Sequence, residues 1–311
     1  MMYLFLVVGF ILLIKGADFF VDGSSAAAKM LKVPSIIIGM TIVAMGTSLP
    51  ETSVSVSAAL AGKNELAISN VVGSNIFNLM VVCGACAVLC PLSISRDALK
   101  RDFPFSIACA GVLMLFGGLG MVLGHIDGVL LLAIFAGFLY IMVRSAIKAR
   151  DEAGENDEEE YKSMPVWKIL LCIAGGSAAI ALGGKMVVSG ASDIARAFGM
   201  SENMIGMTIV ALGTSLPELV TSIVAAKKND VDMALGNVIG SNIFNILFVL
   251  GIAASISPVA YTRENIIDSA VLILMSGLVM LFCLKSRKLV RWQGAVMVLL
   301  YAGFTTYVIM R

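Results

Sequence analysis

The chain has 311 residues, of which 59% are hydrophobic and only 14% charged, with a formal net charge of +1. That composition lies well outside the soluble range, and apolar runs of about 20 residues recur along the sequence. It excludes a soluble catalytic domain, and the near-neutral charge gives no sign of a nucleic-acid partner.

In chain order, the N-terminal run from Met1 to Phe20 lacks the basic start of a cleaved signal peptide and continues into Lys15 and Asp18, so it reads as a retained first helix. The apolar cores that follow give spans at 3–23, 36–60, 66–90, 103–123 and 126–144, then 167–189, 203–226, 231–253, 266–284 and 292–310. The reading is an all-α polytopic membrane protein of ten transmembrane helices, built as two inverted five-helix repeats. The first repeat is 1–144, the second 165–311, and 145–164 is an acidic linker. If loops alternate sides, the linker side collects roughly sixteen Lys and Arg residues against four on the other. This places the linker in the cytoplasm and both termini outside a plasma or inner membrane. Five spans per repeat is an odd number, so the second copy enters the membrane from the opposite side, a plan recurrent among alternating-access transporters.

The repeat itself is explicit. Residues 39–78 return at 206–245 without a gap, at an offset of about 167 positions. GMTIVAMGTSLPE from Gly39 to Glu51 reappears as GMTIVALGTSLPE from Gly206 to Glu218, and GSNIFN at 73–78 reappears at 240–245. Pro50 and Pro217 cannot donate to the preceding turn, so each helix is expected to kink near Gly46–Leu49 or Gly213–Leu216. Carbonyls freed near Ala44, Gly46 and Thr47, and near Ala211, Gly213 and Thr214, would suit a dehydrated cation, a water or a neighbouring hydroxyl.

Glu51 shares a helix face with Thr47 and Ser48, as Glu218 does with Thr214 and Ser215. Two readings compete. Ser48-x-x-Glu51 and Ser215-x-x-Glu218 fit capping boxes, yet a carboxylate at membrane depth costs a few kcal/mol that a glutamine cap would not, which favours ion coordination. On the next helix, Asn70, Ser74 and Asn78 form one polar stripe, repeated by Asn237, Ser241 and Asn245. Gly73 and Gly240 beside the stripes would admit a close helix neighbour.

These paired GTSLPE and GSNIFN segments resemble the alpha-repeats of the sodium/calcium exchanger family, within the wider cation/calcium antiporters. The resemblance extends over essentially the whole chain in span number, repeat order and loop placement. It implies an antiporter rather than an enzyme, exchanging calcium for sodium, with the two ions as substrates and no cofactor. It also implies that Glu51 and Glu218 bind the ions centrally. The further ligands implied are Thr47, Ser48, Ser74 and Asn78 from the first repeat, Thr214, Ser215, Ser241 and Asn245 from the second, and the carbonyls of Ala44 and Ala211. Some family members carry Asp where this chain has Asn245. Two glutamates balance one divalent ion and offer less to an added potassium, so exchange is expected to be potassium-independent. A proton-coupled or other-cation antiporter is the alternative, since a desolvated glutamate can exchange a proton for a metal ion.

Other residues carry less. The six cysteines lie in apolar segments and read as small buried hydrophobes rather than disulfides, and Cys83-x-x-Cys86 as core. Asp18 and Lys185 occupy equivalent positions, which leaves open both pairing across the repeat axis and, equally, snorkelling or separate local contacts. The acidic run from Asp151 to Glu160 reads as a solvated linker. His125, the one histidine, lies near an outer loop, away from any proton relay. An intramembrane hydrolase built on Ser48 or Ser215 lacks a general base or oxyanion arrangement beyond the glutamates. The lipid bilayer is the one surrounding implied, with no obligate protein partner.

Overall fold

A computed structural model describes residues 2–62, 65–153, 164–200, 205, 209 and 211–311. The chain forms α1 (Met2–Leu31), α2 (Ser35–Thr47), α3 (Leu49–Leu60), α4 (Leu66–Leu89), α5 (Ala98–Gly120) and α6 (His125–Ala153). These are followed by α7 (Val166–Ala197), a short α8 (Ala211–Gly213), α9 (Leu216–Lys227), α10 (Val231–Ile256), α11 (Arg263–Ser286) and α12 (Arg291–Met310). Eight of these helices are long and apolar enough to cross a membrane, and α2 with α3 makes a ninth span bent by 50°. A multi-pass membrane protein follows from their number and length. The expected 36–60 span is thus two half-helices broken at Ser48, while most of 203–210 lies outside the described residues.

The bend has the expected source. Pro50 stands in the first turn of α3, where its missing N–H breaks no bond within α3, and the chain turns at Ser48 (φ −85°, ψ 15°). Pro217 opens α9 in the same way after Ser215 (φ −92°, ψ 6°).

The repeat governs the packing down to single residues. Residues with left-handed backbone pair off along the chain, Lys32 with Gly199, Gly62 with Asn229 and Met121 with Arg287, each pair about one repeat apart. Four two-residue strands do likewise. Leu92–Ser93 (β1) pairs antiparallel with Lys288–Leu289 (β4), and Val122–Leu123 (β2) pairs antiparallel with Val259–Ala260 (β3), so each ribbon joins one repeat to the other.

At the centre lie α4 and α10, each with 78% of its best apolar window buried, against 17–33% for the other long helices. They pack on each other and on the broken pairs α2/α3 and α9, while α5, α6, α11 and α12 cover the outside. On the remaining flank α1 and α7 cross through glycines. A Cβ on Gly9 would lie 2.9 Å from the Gly183 carbonyl, and one on Gly176 would lie 2.8 Å from that of Gly16. Bare backbones are what permit this approach.

That antiparallel crossing directs Asp18 and Lys185 toward opposite ends of the helix pair. Of the two readings for Asp18 and Lys185, separate contacts hold among the described residues, not pairing with each other. Asp18 Oδ1 instead meets Lys228 Nζ at 2.6 Å, Asp22 Oδ1 meets the same ammonium at 2.7 Å, and Lys185 is exposed. Burial alone would lower the Lys228 pKa, but the two carboxylates outweigh it and hold it above the ordinary lysine value. The six cysteines are unbridged, with Cys83, Cys86, Cys109 and Cys283 in the core.

Candidate ion-binding site

The two breaks meet α4 and α10 in the middle of the molecule. There Glu51 and Glu218, Ser48 and Ser215, Asn78 and Asn245 are all fully buried, with Ser74, Ser241, Thr47 and Thr214 at most 8% exposed. A carboxylate at such depth needs donors or a cation.

Each glutamate takes its shortest hydrogen bond from the other repeat. Ser48 Oγ donates to Glu218 Oε1 at 2.7 Å, and Ser215 Oγ donates to Glu51 Oε1 at 3.0 Å. Ser74 Oγ reaches Glu51 Oε1 at a longer 3.5 Å. The capping-box alternative is thereby overturned. Ser48 and Ser215 do hold the N-cap positions of α3 and α9, but neither hydroxyl makes a cap hydrogen bond. The Thr47 hydroxyl lies 3.1 Å from the Val43 carbonyl, 3.3 Å from that of Ala44 and 3.1 Å from Asn237 Oδ1, so one proton is shared among three acceptors.

The expectation of open carbonyls is met less well. Ala44 O accepts the Ser48 N–H at 3.0 Å besides facing the Thr47 hydroxyl, and Gly46 O accepts Ser177 Oγ of α7 at 3.3 Å. The half-helix ends one turn later than a fully unwound segment would, so the turn that holds Ala44 still closes. Ala211 begins α8 in the equivalent position.

Asn70 and Asn237 stand beside the site as braces. Asn70 Nδ2 binds Ser55 Oγ at 3.1 Å and the Glu51 carbonyl at 3.5 Å; Asn237 Nδ2 binds Ser222 Oγ at 2.9 Å and the Glu218 carbonyl at 3.4 Å. Each ties a glutamate-bearing helix to the next. Gly240 lets Met40 come so close that a Cβ would lie 2.6 Å from its carbonyl oxygen. For Gly73 the corresponding neighbour, Met207, lies outside the described residues.

A feature not read from the sequence joins the two stripes. Asn75 Nδ2 donates to the Asn242 carbonyl at 3.1 Å and Asn242 Nδ2 returns the bond to the Asn75 carbonyl at 3.2 Å, while Asn245 Nδ2 donates to Asn75 Oδ1 at 3.1 Å. The signal was present as the first asparagine of each GSNIFN segment. At Asn78 and Asn245 the helix widens by one residue per turn, over Asn78–Val82 and Asn245–Val249. Such turns recur at functional sites.

Among the described residues, Glu51 Oε2, Glu218 Oε2, Asn78 Oδ1 and Asn245 Oδ1 are buried without any hydrogen-bond partner. These four oxygens, two of them carboxylate, come equally from the two repeats, and Asn78 Nδ2, Asn242 Oδ1, Ser24 Oγ and Thr221 Oγ1 are likewise buried without a partner. Native proteins rarely leave such atoms unsatisfied, and hard oxygens of this kind suit Ca²⁺ or Na⁺. His125, by contrast, binds the Ser255 carbonyl at the exposed rim, at 3.0 Å.

Broken half-helices that meet at a buried carboxylate pair, repeated within one chain of membrane-spanning helices, define an ion transporter. The family model described as "Sodium/calcium exchanger protein" matches residues 1–144 and 168–310, and the chain belongs to that family. It is 30% identical to the sodium/calcium exchanger MaX1 of Methanosarcina acetivorans over 348 residues, covering 97% of each chain. It is 35% identical to the inner membrane protein YrbG of Escherichia coli over 319 residues, covering 98% of this chain and 95% of the relative. Among solved structures, the sodium-calcium exchanger NCX_Mj superposes with a TM-score of 0.83 at 36% identity, over 97% of this chain and 98% of the other.

Proposed function

We propose that this chain is a secondary antiporter that exchanges calcium for sodium through the site around Glu51 and Glu218. The observation that carries the reading is the set of four unpartnered oxygens on Glu51, Glu218, Asn78 and Asn245, held between two repeats by crossed Ser–Glu hydrogen bonds. The names of MaX1 and NCX_Mj as exchangers of these ions support it. Thr47, Ser48, Ser74, Thr214, Ser215 and Ser241, with the carbonyls of Ala44 and Ala211, complete the proposed ligand set.

The proposed architecture is ten spans, with 203–226 supplying the tenth, in two inverted repeats over 1–144 and 165–311. Both termini face outward and the 145–164 linker faces the cytoplasm, in an inner or plasma membrane. Calcium and sodium compete for overlapping oxygens. If the helices change sides readily only when the two carboxylates are compensated, the fluxes become coupled, which is alternating access. Ca²⁺ is favoured over Mg²⁺ because a deformable oxygen site suits the larger ion, whereas Mg²⁺ sheds water reluctantly. With Asn at 245 in place of a third carboxylate, exchange proceeds without potassium.

The test uses purified protein in vesicles, with calcium flux measured under separately imposed sodium, potassium and proton gradients. Flux driven by sodium alone is expected. An absolute requirement for potassium would overturn the proposed independence, and flux driven by protons alone would replace sodium as the counter-ion.

A further inference from the structure

Helices α5 and α11 pack side by side and antiparallel, so the same pair of helices forms a corner at each end of the molecule. At one end the corner opens into a cleft of ≈ 600 Å³. Its lining alternates charge and hydrocarbon: Arg96, Lys100, Lys285 and Arg287 surround Leu99, Pro104, Met280 and Leu284. All four cations are exposed, and none forms an ion pair among the described residues. Of the neighbouring carboxylates, Asp102 is held by Arg101 at 2.6 Å, and Asp97, next to Arg96 in the chain, is exposed and stands outside the lining.

The internal repeat supplies a control. At the opposite corner, the positions of Arg96, Lys100, Lys285 and Arg287 are taken by Arg263, Ile267, Leu119 and Met121. Met121 and Arg287 even share the same left-handed backbone, so the turn folds without a cation there. One charge suffices for the turn itself; the excess at this end follows the linker-side bias in Lys and Arg, and here it is gathered around one cleft.

Two observations set this corner at headgroup level. Trp292, 61% exposed, opens α12 just past Arg287, and Trp167, 67% exposed, opens α7 at the same end of the bundle. Exposed tryptophans mark the membrane–water boundary. Below the cations, Leu281 and Leu284 face outward at 64% and 52% exposure, continuous with the lipid-facing wall of α11. Arg101 Nη1 to Ser145 Oγ at 3.1 Å ties the start of α5 to the end of α6, which places the cleft at the linker end.

We propose that this cleft binds the phosphate headgroup of an anionic phospholipid, with the four cations on the phosphate oxygens and Met280 and Leu284 against the first acyl carbons. Basic pockets between transmembrane helices at this level have the right chemistry, each cation adding to attraction for an anionic lipid. The proposal is independent of which ions the central site carries.

The test compares full-length wild type with two double variants that each remove two cations from the linker end. Lys100→Gln with Arg287→Gln alters the cleft, and Lys148→Gln with Lys168→Gln serves as control. Each is purified in detergent, and phosphatidylglycerol, phosphatidylcholine or inorganic phosphate is titrated in, with bound lipid counted by native mass spectrometry and thermal stability followed in parallel. Wild type and control are expected to retain one phosphatidylglycerol in preference to phosphatidylcholine, and the cleft variant to bind it about tenfold or more weakly. Equal loss in both variants would reduce the effect to general surface charge and overturn the proposal. Equal stabilisation by inorganic phosphate would make the site one for a soluble anion, and indifference to lipid charge would remove it.

Discussion

A serine three residues ahead of a glutamate at a helix start has two uses for its hydroxyl: it can accept from the helix N–H groups or donate to a carboxylate. In this chain it donates, and to the glutamate of the other repeat. Sequence spacing alone could not separate these uses, because both require the same Ser-x-x-Glu. What decides is that the partner lies 170 residues away for Ser48 and 164 for Ser215, a distance no local pattern encodes. The consequence is measurable. Ser48→Ala forfeits no cap but strips the buried Glu218 of its 2.7 Å donor, so it should cost ~1–3 kcal/mol of stability while the calcium concentration for half-maximal uptake rises several-fold. Thermal unfolding and uptake titration on the same preparation read both, and a stability loss with unchanged half-saturation would restore the capping role. The carbonyls were read less well than the side chains. Pro50 does break the helix, but Ala44 keeps its partner because the break falls at Ser48.

Among the elements, α1 and α7 show how position within a helix sets the meaning of a glycine. Gly175 and Gly176 are adjacent, yet a Cβ on Gly176 would meet Gly16 O, Phe20 Cβ and Phe20 N at 2.8 Å, while one on Gly175 would meet nothing within 4 Å. Gly176→Ala should therefore cost ~1–3 kcal/mol by forcing the helices apart, and Gly175→Ala should be neutral or stabilise by up to ~1 kcal/mol. Chemical denaturation in detergent distinguishes them, and equal effects would mean that the α1–α7 contact contributes nothing to stability. The same flank carries an asymmetry. Lys228 ties the α9–α10 turn to Asp18 and Asp22 of α1, and Ser25 Oγ binds Asp230 Oδ2 at 2.8 Å, whereas the other repeat has Ala61 where Lys228 stands. Lys228→Ala should free this end of α1, so that a Ser25→Cys reporter reacts several-fold faster with a water-soluble maleimide; an unchanged rate would show that the packing holds α1 without the ion pairs. Helix positions were legible from apolar runs and prolines, because membrane burial imposes long hydrophobic stretches. For Asp18 and Lys185 the sequence left pairing and separate contacts open, and separate contacts hold because equivalent positions in a two-fold arrangement need not be neighbours. The Asn75–Asn242 bridge was hidden because an asparagine that reaches a distant carbonyl looks like any other polar residue in an apolar run.

For the molecule as a whole, one rule relates most of the contacts described: what one repeat does to the other is returned. The strand ribbons, the glycine crossings, the left-handed turns and the Ser–Glu pairs all obey it. The central oxygens come equally from both halves, so neither repeat alone forms the site. The departures fall at the ends, where Lys228 and the α5–α11 cleft make the two faces unlike. The central claim is that this shared site carries the exchanged ions through its two carboxylates. The most direct measurement is calcium uptake into vesicles loaded with sodium, comparing wild type with Glu51→Gln and Glu218→Gln at matched membrane insertion. Each substitution should abolish sodium-driven uptake, since one remaining carboxylate cannot balance a divalent ion; full uptake by either variant would contradict the account.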